Sequence, residues 1–285
     1  MKSCVIGWAV LFGAVGCAAS DAKAQETSQT PQAPVPAPGE SPAPAQNPNG
    51  NALPPAPGVS IDEVLDALDR QGDELKDFTA DVALTEMDDF TKDAFTREGT
   101  LRLQKESEGD ARIYIIFETR KTDAKTTKEK IEFLLDDGWL TERHHRQQKN
   151  TRRQVLKPGE KINLLKLGEG PFPLPIGQDK EDVKGMFEVE VIPAAPEDPA
   201  GTIHGRLKPR PQTQFERKFT SIDVWVDPKA QMPRRIETLD RNGQIRQTTD
   251  LTNVKTNAGL NDDAFKLPPV NAKDGWKLLD EPYQE

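Results

Sequence analysis

The chain has little cysteine. It holds two in 285 residues, Cys4 and Cys17, both near its start. A domain downstream of them can form no internal disulfide and has neither a thiol nucleophile nor a Cys-based metal site, so its core must hold it. Histidine is scarce too, at three residues. Two of them, His144 and His145, are adjacent and on a strand would point to opposite faces, which suits neither a metal set nor a triad. No Gly-x-Ser-x-Gly and no phosphate loop occurs, and Gly168-x-Gly170 lacks a preceding strand and a third glycine. The acidic pairs Asp88-Asp89, Asp136-Asp137 and Asp262-Asp263 fall where turns or helix starts are expected, which accounts for them. No catalytic residue, metal or cofactor is implied. Positive charge is also in deficit, with a formal net charge of -9. An acidic chain is a poor candidate for nucleic-acid binding.

Long apolar runs are missing beyond Ala19. The one such run, Cys4 to Ala19, follows Lys2 and is near the length of a signal-peptide core, ~7–15 residues. It falls short of the ~20 residues a membrane span needs. Export is therefore expected, with two cleavage sites in competition. Ala22-Lys23-Ala24 is a small-x-small site that makes residues 1–24 the signal peptide. Ala14-Val15-Gly16-Cys17 resembles a lipobox, which makes residues 1–16 the signal and Cys17 the acylated N-terminus, although Ala14 stands where that pattern prefers Leu. The alternative is that Cys17 is simply a small apolar residue of the leader.

Residues 25–58 are rich in Pro, Ala, Gln and Asn. They bury too little apolar surface to offset ordering, and alternating Pro-Ala favours a semi-stiff, extended chain. They read as a disordered tether.

The remainder is long enough for one domain with a core. Ser60 and Glu63 form a capping box, and Ile61, Val64, Leu65 and Leu68 share one helical face. The period then becomes two: Phe78, Ala80, Val82 and Leu84, then Leu101 and Leu103, then Ile113, Ile115 and Phe117, then Ile131, Phe133 and Leu135. Asp137-Gly138 and Asn242-Gly243 are hairpin signals. A short helix is predicted over 160–167 and a helical turn over 180–184. The prolines of Pro171-Phe172-Pro173-Leu174-Pro175-Ile176 exclude a central strand there. Strands resume around Phe187–Val191, Thr202–Lys208, Phe219–Val226, Arg235–Leu239 and Gln244–Thr252. Ten or eleven strands and two or three helices predict an α+β domain built on one large antiparallel sheet.

The second half carries an ordered set of signals: Ile222-Asp223-Val224-Trp225-Val226-Asp227, then Met232-Pro233-Arg234-Arg235-Ile236, then Asp240-Arg241-Asn242-Gly243, then Leu251 to Asn257, and last Leu260 to Pro269. In this order, after a helix and a meander that starts at Phe78, the chain resembles the LolA/LolB-type lipoprotein carrier and sorting superfamily over residues 59–271, with 272–285 as an additional tail. The resemblance implies a single large curved antiparallel sheet, an unclosed β-barrel, with helices packed on its concave side and an apolar cavity that binds acyl chains. It implies a periplasmic or outer-membrane-anchored carrier or receptor without catalysis, touching membrane only peripherally or through a lipid anchor. The same scaffold could instead serve an envelope protein-interaction or sensor module with a protein partner. No motif here matches the carriers' functional arginine.

Candidate cavity residues are Phe117, Phe133, Trp139, Phe172, Leu174, Ile176, Phe219 and Trp225. The same side chains would equally serve as the core of a half-buried sheet. Arg143, Arg146 and Arg153 lead a basic cluster that could meet phospholipid head groups or an acidic partner. The bland alternative is a solvated strand or a charged edge that discourages aggregation. The mass of the mature N-terminal peptide separates the two leaders: cleavage after Ala24 leaves Gln25 first, whereas cleavage before Cys17 leaves an acyl-modified Cys17.

Overall fold

The computed structural model describes residues 74–107, 110–157 and 179–283, together with Asp62, Leu65, Asp66 and Asp69. The leader with Cys17, the tether, the helix predicted over 160–167 and the segment carrying Phe172, Leu174 and Ile176 lie outside the described residues.

Alternation along the chain becomes strands in a simple order. β1 (Asp77–Asp88), β2 (Ala94–Ser107), β3 (Asp110–Thr122), β4 (Thr126–Asp136), β5 (Trp139–His144) and β6 (Lys149–Gln154) form one antiparallel meander. Helix α1 (Lys180–Met186) leads into a second meander of β7 (Phe187–Ile192), β8 (Ile203–Pro209), β9 (Phe219–Asp227), β10 (Met232–Asp240) and β11 (Ile245–Thr256). β11 pairs antiparallel with β1, from Phe78 opposite Thr256 to Asp88 opposite Ile245, and this ladder merges both meanders into one sheet. After two short 3-10 turns, β12 (Lys277–Glu281) pairs with β6, the only parallel pairing among the described strands. Among the described residues the sheet has 12 strands in the order β12-β6-β5-β4-β3-β2-β1-β11-β10-β9-β8-β7 and does not close on itself.

The turn signals act as their chemistry requires. Asp137 (φ 47°) and Gly138 (φ 72°) both adopt the left-handed region between β4 and β5, which is what a two-residue hairpin turn needs to match strand twist. Pro233 lies inside β10 yet breaks no ladder, because pairing to β11 begins at Arg235 and the β9 ladder shifts register there. Asp179 caps α1 by accepting the Asp182 backbone N–H at 2.9 Å.

One face of the sheet carries the main core. Phe78, Leu101, Leu103, Ile113, Phe117, Phe133 and Leu135 on the first meander are continuous with Phe187, Leu207, Ile222, Val224 and Ile236 on the second. Leu65, Leu75, Val183 and Phe215 join this cluster from outside the strands. Phe78, Phe117, Phe187 and Phe215 are each at most 1% exposed, so burial of each contributes about 2–3 kcal/mol. Of the two or three helices expected, the described residues show α1 and the helical positions 62, 65, 66, 69 and 74.

The opposite face is covered locally. Tyr114 and Leu134 lie beneath Phe265, with Leu260 and Leu267 alongside. The chain after β11 is fixed there by Asp77, whose carboxylate accepts the backbone N–H groups of Ala258 (2.7 Å), Gly259 (3.1 Å) and Leu260 (3.2 Å).

A Cβ built on Gly99 would lie 1.7 Å from the Ile116 carbonyl oxygen, at the bulge where β2 and β3 change register. Gly99→Ala should therefore lower stability by about 1–3 kcal/mol or more. Gly185→Ala in α1, where nothing lies within 4 Å, should raise it by about 0.5–1 kcal/mol. Urea unfolding of both variants checks the pair.

Candidate functional site

The expected apolar contributors divide between the two faces. Phe117 and Phe133 meet edge to face, with centroids 6.3 Å apart, inside the main core, and Phe219 belongs to the same cluster. Trp139 and Trp225 leave the sheet on the other side. Trp139 is half-buried under the Arg152 guanidinium, 4.2 Å from its ring centroid. Trp225 stacks on His204 at 4.0 Å and donates its indole N–H to Asp198 at 2.6 Å. The flanking strands explain the split: Leu140 and Val224, one position along, point into the core, and neighbours on a strand alternate.

The three arginines do not share one exposed face. Arg143 is 4% exposed; its Nε donates to Asn150 Oδ1 at 3.0 Å and its Nη1 to the Pro268 carbonyl at 2.9 Å. Arg153 stands opposite Leu140, a core residue, and so leaves the sheet on the core side, where it pairs with Glu281 at 2.6 Å. Arg146 is exposed in the β5–β6 turn.

A buried polar network organises the face opposite the core. Glu132, 1% exposed, accepts from Tyr114 Oη at 2.6 Å, bonds His145 Nε2 at 2.5 Å and lies 3.8 Å from Arg143 Nη1. Trp276 closes over it, edge-on to His145 with centroids 5.3 Å apart and 5.8 Å from the Arg143 guanidinium. Burial alone would raise the Glu132 carboxyl. The bonds from His145 and Tyr114 and the charges of Lys130 and His145 outweigh it and hold the group below its ordinary 4.5. Burial and the same carboxylate push the Tyr114 phenol up. On the second meander Asp223, 3% exposed, bonds His204 at 2.7 Å and Arg206 at 2.8 Å. Burial would raise Asp223 too, and the His204 and Arg206 interactions hold it low.

Sequence reasoning passed over both carboxylates. The signal was there: Glu132 interrupts the apolar run Ile131–Leu135, and Asp223 lies between Ile222 and Val224. A charged residue at such a position needs partners. Both networks are structural in form, with every partner supplied by neighbouring strands or turns. Among the described residues no three His, Asp or Glu side chains gather as a metal set would require.

The described residues also form an open cleft of about 550 Å³ where β11, β1 and β2 meet. Thr79, Asp81, Thr100, Arg102, Asn253 and Lys255 line it, over Ala80, Leu101 and Val254. Its lining mixes polar and apolar surface in about equal parts, unlike the core face.

No family model matches the chain. No curated protein matches it either. Solved structures do. One is MucB, at 12% identity over 73% of this chain and 62% of that one, with a TM-score of 0.41. Another is a LolA superfamily protein from Nitrosomonas europaea, at 10% identity, 74% and 99% coverage and a TM-score of 0.29. A third is an outer membrane lipoprotein-sorting protein domain from Vibrio parahaemolyticus, at 14% identity, 71% and 94% coverage and a TM-score of 0.31. The chain is similar to LolA-superfamily structures. It spans 62% of the length of the MucB chain it matches. At these identities and TM-scores the similarity says nothing of ligand or activity, which must come from the chain's own residues.

The buried carboxylate sets a pH signature. Its folded-state value lies below 4.5, so the ionised Glu132 contributes stability above that pH and the contribution is lost as pH falls through the folded value. Glu132→Gln should lose about 3 kcal/mol at pH 7, because it leaves Arg143 buried without its charge partner. The deficit should shrink as both proteins are taken below pH 4.5, which urea unfolding at stepped pH would show.

Proposed function

We propose that this chain is a cell-envelope carrier or receptor for lipid or lipoprotein, periplasmic or held at the outer membrane, which binds acyl chains without catalysis. One observation supports the reading above the others. An unclosed sheet presents a single apolar face running from Leu140 in β5 to Phe187 in β7, and Val183 of α1 and Leu65, at a helical position, pack against it. Helices on the concave side, including the turn that carries Leu65, would complete the walls of an apolar cavity. Phe117, Phe133 and Phe219 would line it, with Phe172, Leu174 and Ile176 at its mouth. Acyl chains would be held by apolar burial, worth about 0.8 kcal/mol per methylene, so release would need a partner or a competing surface rather than a reaction. The tether of residues 25–58 would give a Cys17-anchored form its reach.

A second reading, an envelope protein-interaction or sensor module, is favoured by the tight burial of the same face, where Phe78, Ile113, Leu135 and Ile236 are each 1% exposed or less. A face already packed to interior density has no room for cargo. Arg146, exposed in its turn, would then be a contact for an acidic partner.

Native mass spectrometry of protein extracted gently from its own envelope distinguishes the two. Acyl-bearing molecules should leave the protein on denaturation, and the emptied protein should take up a fluorescent fatty acid. The absence of both release and uptake would sink the carrier reading, and a defined protein captured without lipid, then lost on Arg146→Glu, would replace it.

A further inference from the structure

Lys255, Thr79 and Arg102 stand side by side on β11, β1 and β2. Thr79 is opposite Lys255 in one ladder and opposite Arg102 in the other. Directly opposed side chains leave the same face with Cβ atoms about 5 Å apart, so two cations flank one hydroxyl. Two residues along, Asp81 stands opposite Thr100. Its carboxylate is engaged by the Asn253 side-chain amide at 2.6 Å. Asn253 takes a left-handed φ of 51°, where β11 shifts register against β1. The local acid is therefore partly satisfied from within the cleft.

The cations differ in freedom. Arg102 is positioned: its Nη1 donates to the Ala264 carbonyl at 2.9 Å and its guanidinium lies 5.6 Å from the Tyr114 ring centroid. A guanidinium has five N–H donors, so most of its capacity is unspent. Lys255 is exposed. Among the described residues, Lys255 and the hydroxyls of Thr79 and Thr100 make no side-chain hydrogen bond or ion pair. In a chain of net charge -9, a cleft that sets two cations and two free hydroxyls beside one carboxylate already engaged by Asn253 carries a local excess of donors suited to an oxyanion.

We propose that the cleft between β11, β1 and β2 binds a phosphate-bearing anion. Arg102 supplies a fixed fork and Lys255 a mobile point charge, two complementary ways of holding phosphate oxygens. The Thr79 and Thr100 hydroxyls donate between them. At about 550 Å³ the cleft is larger than a bare phosphate requires and falls in the range of small-molecule sites. A soluble phosphate ester and a phospholipid headgroup both carry the recognised group. Thr79 lies between core residues Phe78 and Ala80, so the site opens opposite the apolar face and stands whether or not that face binds acyl chains.

The full chain, titrated calorimetrically with inorganic phosphate and with glycerol 3-phosphate and sedimented with phosphatidylglycerol vesicles, tests this. Binding is expected in at least one arm. Lys255→Ala should weaken it about tenfold or more, Lys255→Arg should retain it and Thr79→Val should reduce it, all with unchanged thermal midpoints. Binding of the soluble phosphates without vesicle recruitment assigns a free ester; recruitment that Lys255→Ala abolishes, without soluble binding, assigns the headgroup. No binding in any arm overturns the proposal, as does binding that Lys255→Ala leaves unchanged.

Discussion

The rest of the structure answers to one constraint: β3 and β4 are buried on both faces. On one side Ile113, Ile115, Phe117, Ile131, Phe133 and Leu135 enter the main core. On the other, Tyr114, Glu132 and Leu134 are also out of water. The apolar side needs only bulk against it. The second side holds a carboxylate, and an unpaired buried charge is far costlier than an exposed one. Tyr114, His145, Arg143 and Lys130 must therefore converge on Glu132, and something must cover them. The chain after β11 does so. Asp77 turns it back over the sheet, Phe265 covers Leu134, Pro268 receives Arg143, Trp276 packs on His145, and β12 ends the path along β6.

Most of the sheet could be read from the sequence because its strands alternate cleanly and its turns use residues suited to left-handed backbone. Phe78 to Leu84 and Ile113 to Phe117 carry the period of two, and Asp137-Gly138 and Asn242-Gly243 mark where pairs reverse. β12 could not be read this way. Its side chains are mostly exposed, so it has no apolar period, and it is held by backbone pairing and the Arg153–Glu281 bridge. Nor does composition reveal which face an aromatic takes. Trp139 and Trp225 look like core residues by type, and only the register, with Leu140 and Val224 inward, sends them to the other side. Arg143 and Arg153 are both odd-numbered, yet the β5–β6 turn puts Arg143 opposite Asn150 and Arg153 opposite Leu140, so the arginines part to opposite faces. The β11–β1–β2 cleft is a matter of register as well: Lys255 and Thr79 are far apart in the chain and meet only through the ladder.

The two faces thus carry different chemistry. The core side is apolar across both meanders and would hold hydrocarbon or simply itself. The other is a mosaic of buried carboxylates with fitted partners, plus a cleft in which Lys255 and the Thr79 and Thr100 hydroxyls have no side-chain partner among the described residues. Buried polar networks of this kind constrain geometry more than they add stability. Here they hold the sheet flank on which Arg102 is positioned.

The ladder between β1 and β11 also sets a schedule. A ribosome makes β1 early and its partner late, and Phe78 meets Thr256 only after the intervening chain exists. At about 5–20 residues per second, that wait is on the order of 10 s. During it, one margin of β1 offers unpaired backbone beside a row of apolar side chains. A nascent chain in that condition invites wrong pairing, so a holding chaperone or delayed folding would matter more for this protein than for one whose neighbours in the sheet are neighbours in the chain.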